Sequence, residues 1–227
     1  MNFAVLATGS IANTMAKAVS GIGGVRKYAA ASREYERARA YADRWGFEKA
    51  YGSYEEMLQD PAVELVYVAS PHSHHYEHAK MCLLHGKHVL LEKAFTVNAG
   101  QAQELMDLAK EKNLLLAEAI WTRYMPSRKM ILDLVESGVI GKVTSLTANL
   151  GYVLTEVERM RRPELAGGAL LDLGVYPINF ALMVFSGAVE KVTSTAVMSA
   201  EGVDFMNSIT LTFAGGQMAV LHSNMLA

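Results

Sequence analysis

The chain has 227 residues, with 21 Lys plus Arg against 23 Asp plus Glu and a formal net charge of -2. This length allows one large domain or two small ones, each with a real core. The near balance of charge leaves no electrostatic footprint for nucleic acid or an anionic membrane, so a small-molecule ligand is expected. The single cysteine, Cys82, excludes an internal disulfide framework, fits a reducing cytoplasm and suits helix packing.

The apolar N-terminus lacks a basic leader and reads as strand, turn and helix, not as a signal peptide. Residues 3–6 form a short apolar run. Ala7-Thr8-Gly9-Ser10-Ile11-Ala12 follows, then a helical pattern through Met15, Ala18 and Val19. A second strand over 28–31 ends at Ser32-Arg33 and leads into a helix over 34–45. Ser53 and Glu56 have capping-box spacing before a short helix to Leu58. Residues 65–69 read as a buried strand closed by Ser70-Pro71. The helix over 76–85 passes through Gly86, a C-cap, into a strand over 89–91 that stops at Glu92-Lys93. A helix over 96–112 and a strand over 114–119 complete the alternation. This predicts right-handed βαβ units and an α/β fold with an open, doubly wound, mostly parallel sheet over residues 1–120.

Beyond Trp121 the rhythm changes. A helix over 127–137, closed by Gly138, precedes a β run over 143–152 and a charged loop over 155–164. Gly167-Gly168 opens a helix through Leu171, Tyr176 and Phe180. Three alternating runs follow, over 192–198, 206–213 and 218–224, the last two joined by the hairpin signal Ala214-Gly215-Gly216-Gln217. Residues 121–227 are therefore expected to form a second, α+β domain with an open, mostly antiparallel sheet. The apolar stretch 169–189 carries Asp172, Pro177 and Asn179, which a membrane span tolerates poorly, so no membrane partner is expected.

The turn after the first strand is a degenerate dinucleotide fingerprint. The three glycine places of G-x-G-x-x-G fall on Ala7, Gly9 and Ala12, so only the glycine of closest approach to a pyrophosphate is kept. A strand before it and a helix after it strengthen the assignment and make Thr8, Gly9, Ser10 and Ile11 cofactor-binding candidates. At the end of the second strand an acid would accept from a ribose hydroxyl. Here Ser32, Arg33 and, one turn on, Arg37 would instead attract a 2′-phosphate, which favours NADP over NAD; the alternative is a solvated arginine at a helix start. His72, His74, His75 and His78 crowd the loop after Ser70-Pro71. His74 and His78 are spaced for a metal but lack a convincing set of further ligands, so no metal is expected, and one or two of these histidines are expected to line the cofactor cleft from a βα loop. Lys93 stands where ligands collect, at the carboxyl end of a parallel strand. Asp172 and Tyr176, four apart in a helical pattern, are expected on one helix face. A phenol near an ammonium makes a proton relay for oxidising an alcohol, so Lys93 and Tyr176 are the candidate pair.

The stretches ATGSIA, SPHSHHYEHAKMCLLHGKHVLLEKAFT, LAEAIWTRYMP, ESGVIGKV and GGALLDLGVYP together resemble the Gfo/Idh/MocA family of NAD(P)-dependent oxidoreductases, nearest to its dimeric dihydrodiol dehydrogenase and NADP-dependent xylose dehydrogenase branch. The resemblance implies a Rossmann domain followed by a substrate domain whose open sheet forms a homodimer interface. It implies NADP as cofactor and a sugar, polyol or cyclic diol as substrate. Lys93 matches the lysine of the family's Glu-Lys-Pro motif, after Glu92, beside nicotinamide and substrate. Asp172 matches the aspartate before the catalytic position, and Tyr176 the proton donor and acceptor. His75 matches the histidine after the Thr-Pro-Asn loop, and Ser70, Pro71, His72 and His75 are cofactor-binding candidates. Trp121 and Arg123 belong to the Trp-Thr-Arg segment bordering the site. Ala94 stands where the motif has proline, whose preceding peptide is commonly cis. Relatives continue past the point matching Ala227, so the second domain is expected to be partial and its last hairpin an exposed edge. Two other activities fit the same residues: glycoside cleavage through transient oxidation, and non-catalytic dinucleotide sensing.

Overall fold

A computed structural model describes residues 1–227, which separate into two compact units, Met1–Ala119 and Ile120–Ala227. The first unit is built on a six-stranded parallel sheet. Its strands are β1 (Asn2–Leu6), β2 (Arg26–Ala31), β3 (Lys49–Tyr51), β4 (Leu65–Val68), β5 (His88–Leu91) and β6 (Leu116–Glu118), in the order β3-β2-β1-β4-β5-β6. The helices are α1 (Ser10–Val19), α2 (Tyr35–Trp45), α3 (Tyr54–Gln59), α4 (His75–Leu84) and α5 (Ala99–Glu111). Strand order reverses between β1 and β4, which pair in register from Phe3 opposite Leu65 to Leu6 opposite Val68. Ligand crevices in doubly wound sheets open at such a reversal, beyond the carboxyl ends of the strands.

The central strands are buried on both faces. Ala4, Leu6, Val66, Val68, Val89 and Leu91 join a core with Met57, Leu83 and Leu105, while Phe3, Val5 and Tyr67 face a second core with Ala16, Tyr41 and Phe47. Continuous apolar strands are what a parallel sheet covered on both sides requires. Strand β3 is an element that the sequence pattern does not announce. Three residues show no usable periodicity, and they become a strand by pairing with Ala29–Ala31 of β2. Ser53 caps α3, its Oγ accepting from the Glu56 N–H, as its spacing predicts. The expected start of α5 at Thr96 moves to Ala99, because the Asn98 side chain accepts from the Gln101 N–H and caps the helix there. Cys82 is wholly buried on α4.

The second unit carries α6 (Pro126–Glu136), α7 (Val175–Val184) and four strands, β7 (Ser145–Gly151), β8 (Val189–Met198), β9 (Asp204–Phe213) and β10 (Met218–Asn224), in the order β7-β10-β9-β8. The sheet is mixed. β9 pairs antiparallel with both β8 and β10, and β10 pairs parallel with β7. The last hairpin is thus not an edge, contrary to expectation. β10 has a partner on each side, and the edges are β7 and β8. Alternation within a strand cannot reveal that a segment far back in the chain, here β7, will pair beside it.

One face of this sheet packs under α7. Ile209, Leu211, Phe213, Ala219 and Leu221 meet Ala181 and Phe185. The residues alternating with them form an outer face. From Met206 to Thr212 on β9, Met218 to Asn224 on β10 and Ser145 to Asn149 on β7, that face holds Ser, Thr, Asn, Met, Val and one His, with no lysine, arginine or carboxylate. The stretch Pro163–Val184 is 22 residues long and apolar enough by composition to cross a membrane. Its residues Ala169, Leu173 and Ala181 are core residues of this unit.

Candidate active site

The turn after β1 meets the demands of an anion cradle. Ala7, at the first glycine place of the fingerprint, has φ 73°, the left-handed conformation that glycine usually supplies and that costs an alanine roughly 1–2 kcal/mol. Gly9 has φ -76°, so its value is space: a Cβ built there would meet nothing within 4 Å. Gly9 also precedes α1 without a side-chain cap, and the first turn has no acid. The first N–H groups of α1, beginning at Ser10 and Ile11, therefore lack a capping acceptor, and Thr8 lies in the same turn. Next to it, Ala69 N–H donates to the Leu6 carbonyl at 2.9 Å, so the loop Ser70-Pro71-His72 leaves the neighbouring strand at the same end of the sheet. The Ser70 hydroxyl is buried and has no hydrogen-bond partner. An open glycine, an uncapped helix start and an orphaned buried hydroxyl at the strand-order reversal fit a bound dinucleotide.

At the end of β2, Ser32 is buried and its N–H donates to Tyr51 at 3.2 Å. Arg33 and Arg37 are exposed. Arg37 lies 3.9 Å from Glu34 in a solvated pair of the kind worth little. The guanidinium groups expected to meet a 2′-phosphate thus stand in solvent at the carboxyl edge of the sheet.

The segment after β5 is held from several directions. Glu92 is buried and accepts from the Tyr67 hydroxyl and, at 3.1 Å, from the Lys93 N–H. The peptide between Lys93 and Ala94 is cis. The Phe95 N–H donates to Glu118 Oε1 at 2.9 Å, and the Ala94 carbonyl lies 2.6 Å from His75 Nδ1. Tyr67 was legible only as an apolar strand residue. Its hydroxyl reaches Glu92 because β4 and β5 are neighbours, which one strand's pattern does not disclose.

The four histidines of the next loop have separate surroundings. His72 and His75 are buried, with ring centroids 5.5 Å apart. The His74 and His78 rings are 5.6 Å apart, and His78 also sets its ring against Tyr54 at 5.0 Å. Burial, and then the charges of His74 and His75, push the His78 pKa down to about 4. No group of three or more histidine, cysteine or acidic side chains is gathered as a metal site requires.

In the second unit, Trp121 and Arg123 lie on the 3₁₀ turn Trp121–Tyr124, and Trp121 Nε1–H donates to the Tyr176 hydroxyl at 3.1 Å. The expected regular helix through Asp172 and Tyr176 is a π-helical turn, Leu170–Gly174, continued by α7. In i→i+5 geometry residues four apart no longer stack squarely, so the spacing argument for a shared face does not apply. Asp172 is buried and accepts from Arg159 at 3.1 Å, whereas Tyr176 lies beside Trp121. Arg159, one of three arginines in the charged loop, was not identifiable from sequence as the Asp172 partner. Gly168 is required just before the π turn: its φ is 104°, and a Cβ there would collide with Asp204 Oδ1. Asp204 in turn accepts from the Leu170 N–H at 2.9 Å. A cavity of about 290 Å³ opens beside Tyr176, lined largely by apolar atoms with Arg123, Arg128, Asn149 and Asn179 among its polar groups. The Arg128 Nε in its wall is buried and unpartnered.

Comparison with known proteins agrees with this architecture. Residues 1–119 match the family model described as "Oxidoreductase family, NAD-binding Rossmann fold", and residues 129–227 match the "GFO/IDH/MocA C-terminal domain". A trans-1,2-dihydrobenzene-1,2-diol dehydrogenase of Xenopus tropicalis is 38% identical over 226 residues, covering 98% of this chain and 68% of that protein. A D-xylose 1-dehydrogenase (NADP(+)) of Hypocrea jecorina is 43% identical over 202 residues, covering 79% and 52%. Among solved structures, a 3-ketoreductase from Actinomadura kijaniata in complex with NADP and TDP-benzene superimposes with a TM-score of 0.92 at 30% identity, covering 100% of this chain and 71% of that one.

Proposed function

The chain belongs to the Gfo/Idh/MocA oxidoreductase family, and we propose that it transfers hydride between NADP and a secondary or anomeric alcohol of a sugar, polyol or cyclic diol. The observation that carries this assignment is Lys93, placed where β5 leaves the sheet and anchored through its neighbours Glu92 and Ala94. The dehydrogenase relatives with a diol and a sugar in their names, and the NADP-bound 3-ketoreductase, support the substrate class and cofactor.

Bound nicotinamide would supply the hydride acceptor or donor. Thr8, Gly9, Ser10 and Ile11 would hold the pyrophosphate through backbone N–H groups, and Ser70, Pro71, His72 and Glu92 would shape the neighbouring wall. Ser32, Arg33 and Arg37 would receive the 2′-phosphate. Lys93 would stabilise charge developing on the substrate oxygen while Tyr176 takes the hydroxyl proton. The Trp121 indole N–H can only donate, so its bond to the Tyr176 oxygen supports that oxygen when it becomes negative. Asp172, held by Arg159, would orient substrate hydroxyls, and Trp121 and Arg123 would border the bound molecules. The cavity beside Tyr176 provides apolar walls with a few convergent polar groups, as small-molecule sites do.

The test is NADPH formation across a panel of sugars, polyols and cyclic diols. Lys93→Met and Tyr176→Phe are each expected to lower kcat/KM by about 10²-fold or more. Arg33→Ala is expected to weaken NADP binding about tenfold, with NAD affinity little changed. Undiminished turnover in both Lys93→Met and Tyr176→Phe would overturn the assignment.

The same proposal gives the protein a homodimer built through the outer face of the second sheet, supported by the absence of formal charge on β7, β9 and β10 there. It places the protein in the cytoplasm, where the buried Cys82 thiol would remain reduced.

A further inference from the structure

We propose that His75 is a positioning residue for Lys93, its ring tying the backbone of the loop after β4 to the backbone of the loop after β5, and not a direct contact of the cofactor. His75 has no exposed surface. Nδ1 lies 2.6 Å from the Ala94 carbonyl oxygen and Nε2 lies 2.9 Å from the Ser70 carbonyl oxygen, so both polar atoms of the ring are taken by backbone. The inference rests on the catalytic role proposed for Lys93 and accounts for how that amine is aimed.

Carbonyl oxygens only accept, and a neutral imidazole has one N–H. Burial lowers the His75 pKa, and the charges of Lys93 and His74 lower it further, whereas the two carbonyl contacts act in the opposite direction. The titratable groups facing the ring are His72 and His74 from the 3₁₀ turn His72–His74 and Lys93 from the loop after β5. A neutral ring can donate to only one of the two carbonyls, and the proposal puts its proton on Nδ1, toward the shorter contact. The neutral ring donates to Ala94 across the shorter contact, and the imidazolium donates to Ser70 as well.

The position of these contacts explains their effect. On one side of Lys93, Glu92 is fixed by the Tyr67 hydroxyl. On the other, Ala94 is fixed by His75 and Phe95 by Glu118. The chain is thus fastened immediately before the lysine through the Glu92 side chain and immediately after it through the Ala94 and Phe95 backbone. Displacement of a reacting group by about 1 Å can cost about 10²-fold in rate, so loosening the Ala94 anchor should be read in turnover before it is read in cofactor affinity.

NMR and kinetics test this role of His75 independently. In ¹⁵N NMR of the unmodified chain, His75 Nδ1 should carry a proton; a ring protonated on Nε2 alone would overturn the inference, with no variant needed. In kinetics at saturating NADP, His75→Leu should lower kcat by about 10²-fold while the NADP Kd stays within about threefold. His75→Gln, whose amide can still donate, should recover part of the loss. Equal losses in kcat and NADP affinity would make His75 a cofactor contact and overturn the inference, as would an unchanged kcat in His75→Leu. Lys93→Met separates the two levels. If it retains turnover, the assignment of Lys93 fails; if it is inactive while His75→Leu is not, only the positioning role fails.

Discussion

The two sheets handle their surfaces in opposite ways. In the first unit β1, β4 and β5 lie between helices, and Leu6, Val68 and Leu91 are fully buried. In the second, α7 packs on one face of the sheet, all ten residues of β8 are exposed, and α6 contains no buried residue. Val192 stands opposite the buried Leu211 yet is 61% exposed, so pairing with a core strand does not by itself bury a neighbour. A covered parallel sheet is suited to holding a cradle rigidly at its strand ends. An open sheet leaves a broad outer face in solvent, free of formal charge on β7, β9 and β10 and carrying Lys191 on β8.

The contrast can be broken first at the core of the covered sheet. Leu91→Ala should destabilise the chain by about 2–5 kcal/mol, because the site between β4, β6 and their helices cannot collapse fully around the cavity. Val192→Ala on β8 should change stability by no more than about 0.5 kcal/mol. Chemical denaturation of both variants measures the difference, and equal losses would remove the distinction between the sheets.

A smaller effect is expected at Asp60, which closes the edge of the first sheet. It accepts from Tyr51 at 2.6 Å, Lys49 at 2.7 Å, Tyr28 at 2.9 Å and the Ala62 N–H at 2.9 Å. Burial opposes its ionisation, but these four donors outweigh burial and hold the carboxyl well below its usual range. Asp60→Asn should cost about 1–3 kcal/mol at neutral pH. Because the folded-state pKa is depressed, the carboxylate's contribution is complete above the ordinary value of 3.8 and is lost as pH falls below it. The gap between wild type and variant should therefore narrow in acid. A gap that widened there would contradict the assigned donors.

The smallest stability change, with the largest change in assembly, is expected on the open face. Val220 lies on β10 with a strand on each side and is 39% exposed. Val220→Lys should leave the unfolding free energy of the protomer within about 0.5 kcal/mol yet shift the proposed dimer to monomer in sedimentation. A lysine variant that assembles like wild type would direct the interface elsewhere.

Much of this molecule follows from local chemistry. The βαβ rhythm, the turn at Gly9, the cap at Ser53 and the strand that delivers Lys93 are set by periodicity, turn residues and capping groups only a few positions apart. The candidate site is less local. The turn at Gly9 and the loop at Ser70 leave adjacent strands at the same end of the sheet because β1 pairs with β4, and Tyr67 meets Glu92 because β4 pairs with β5. His75 reaches Ala94 nineteen residues away. The π turn at Leu170–Gly174 and the Arg159 partner of Asp172 left no periodic signal, and neither did the central place of β10. The physical division is one of range. Short-range rules determine which segments are strands and helices and which residue types end them, whereas strand order and long-range hydrogen bonds decide which of those residues share a surroundings and can act together.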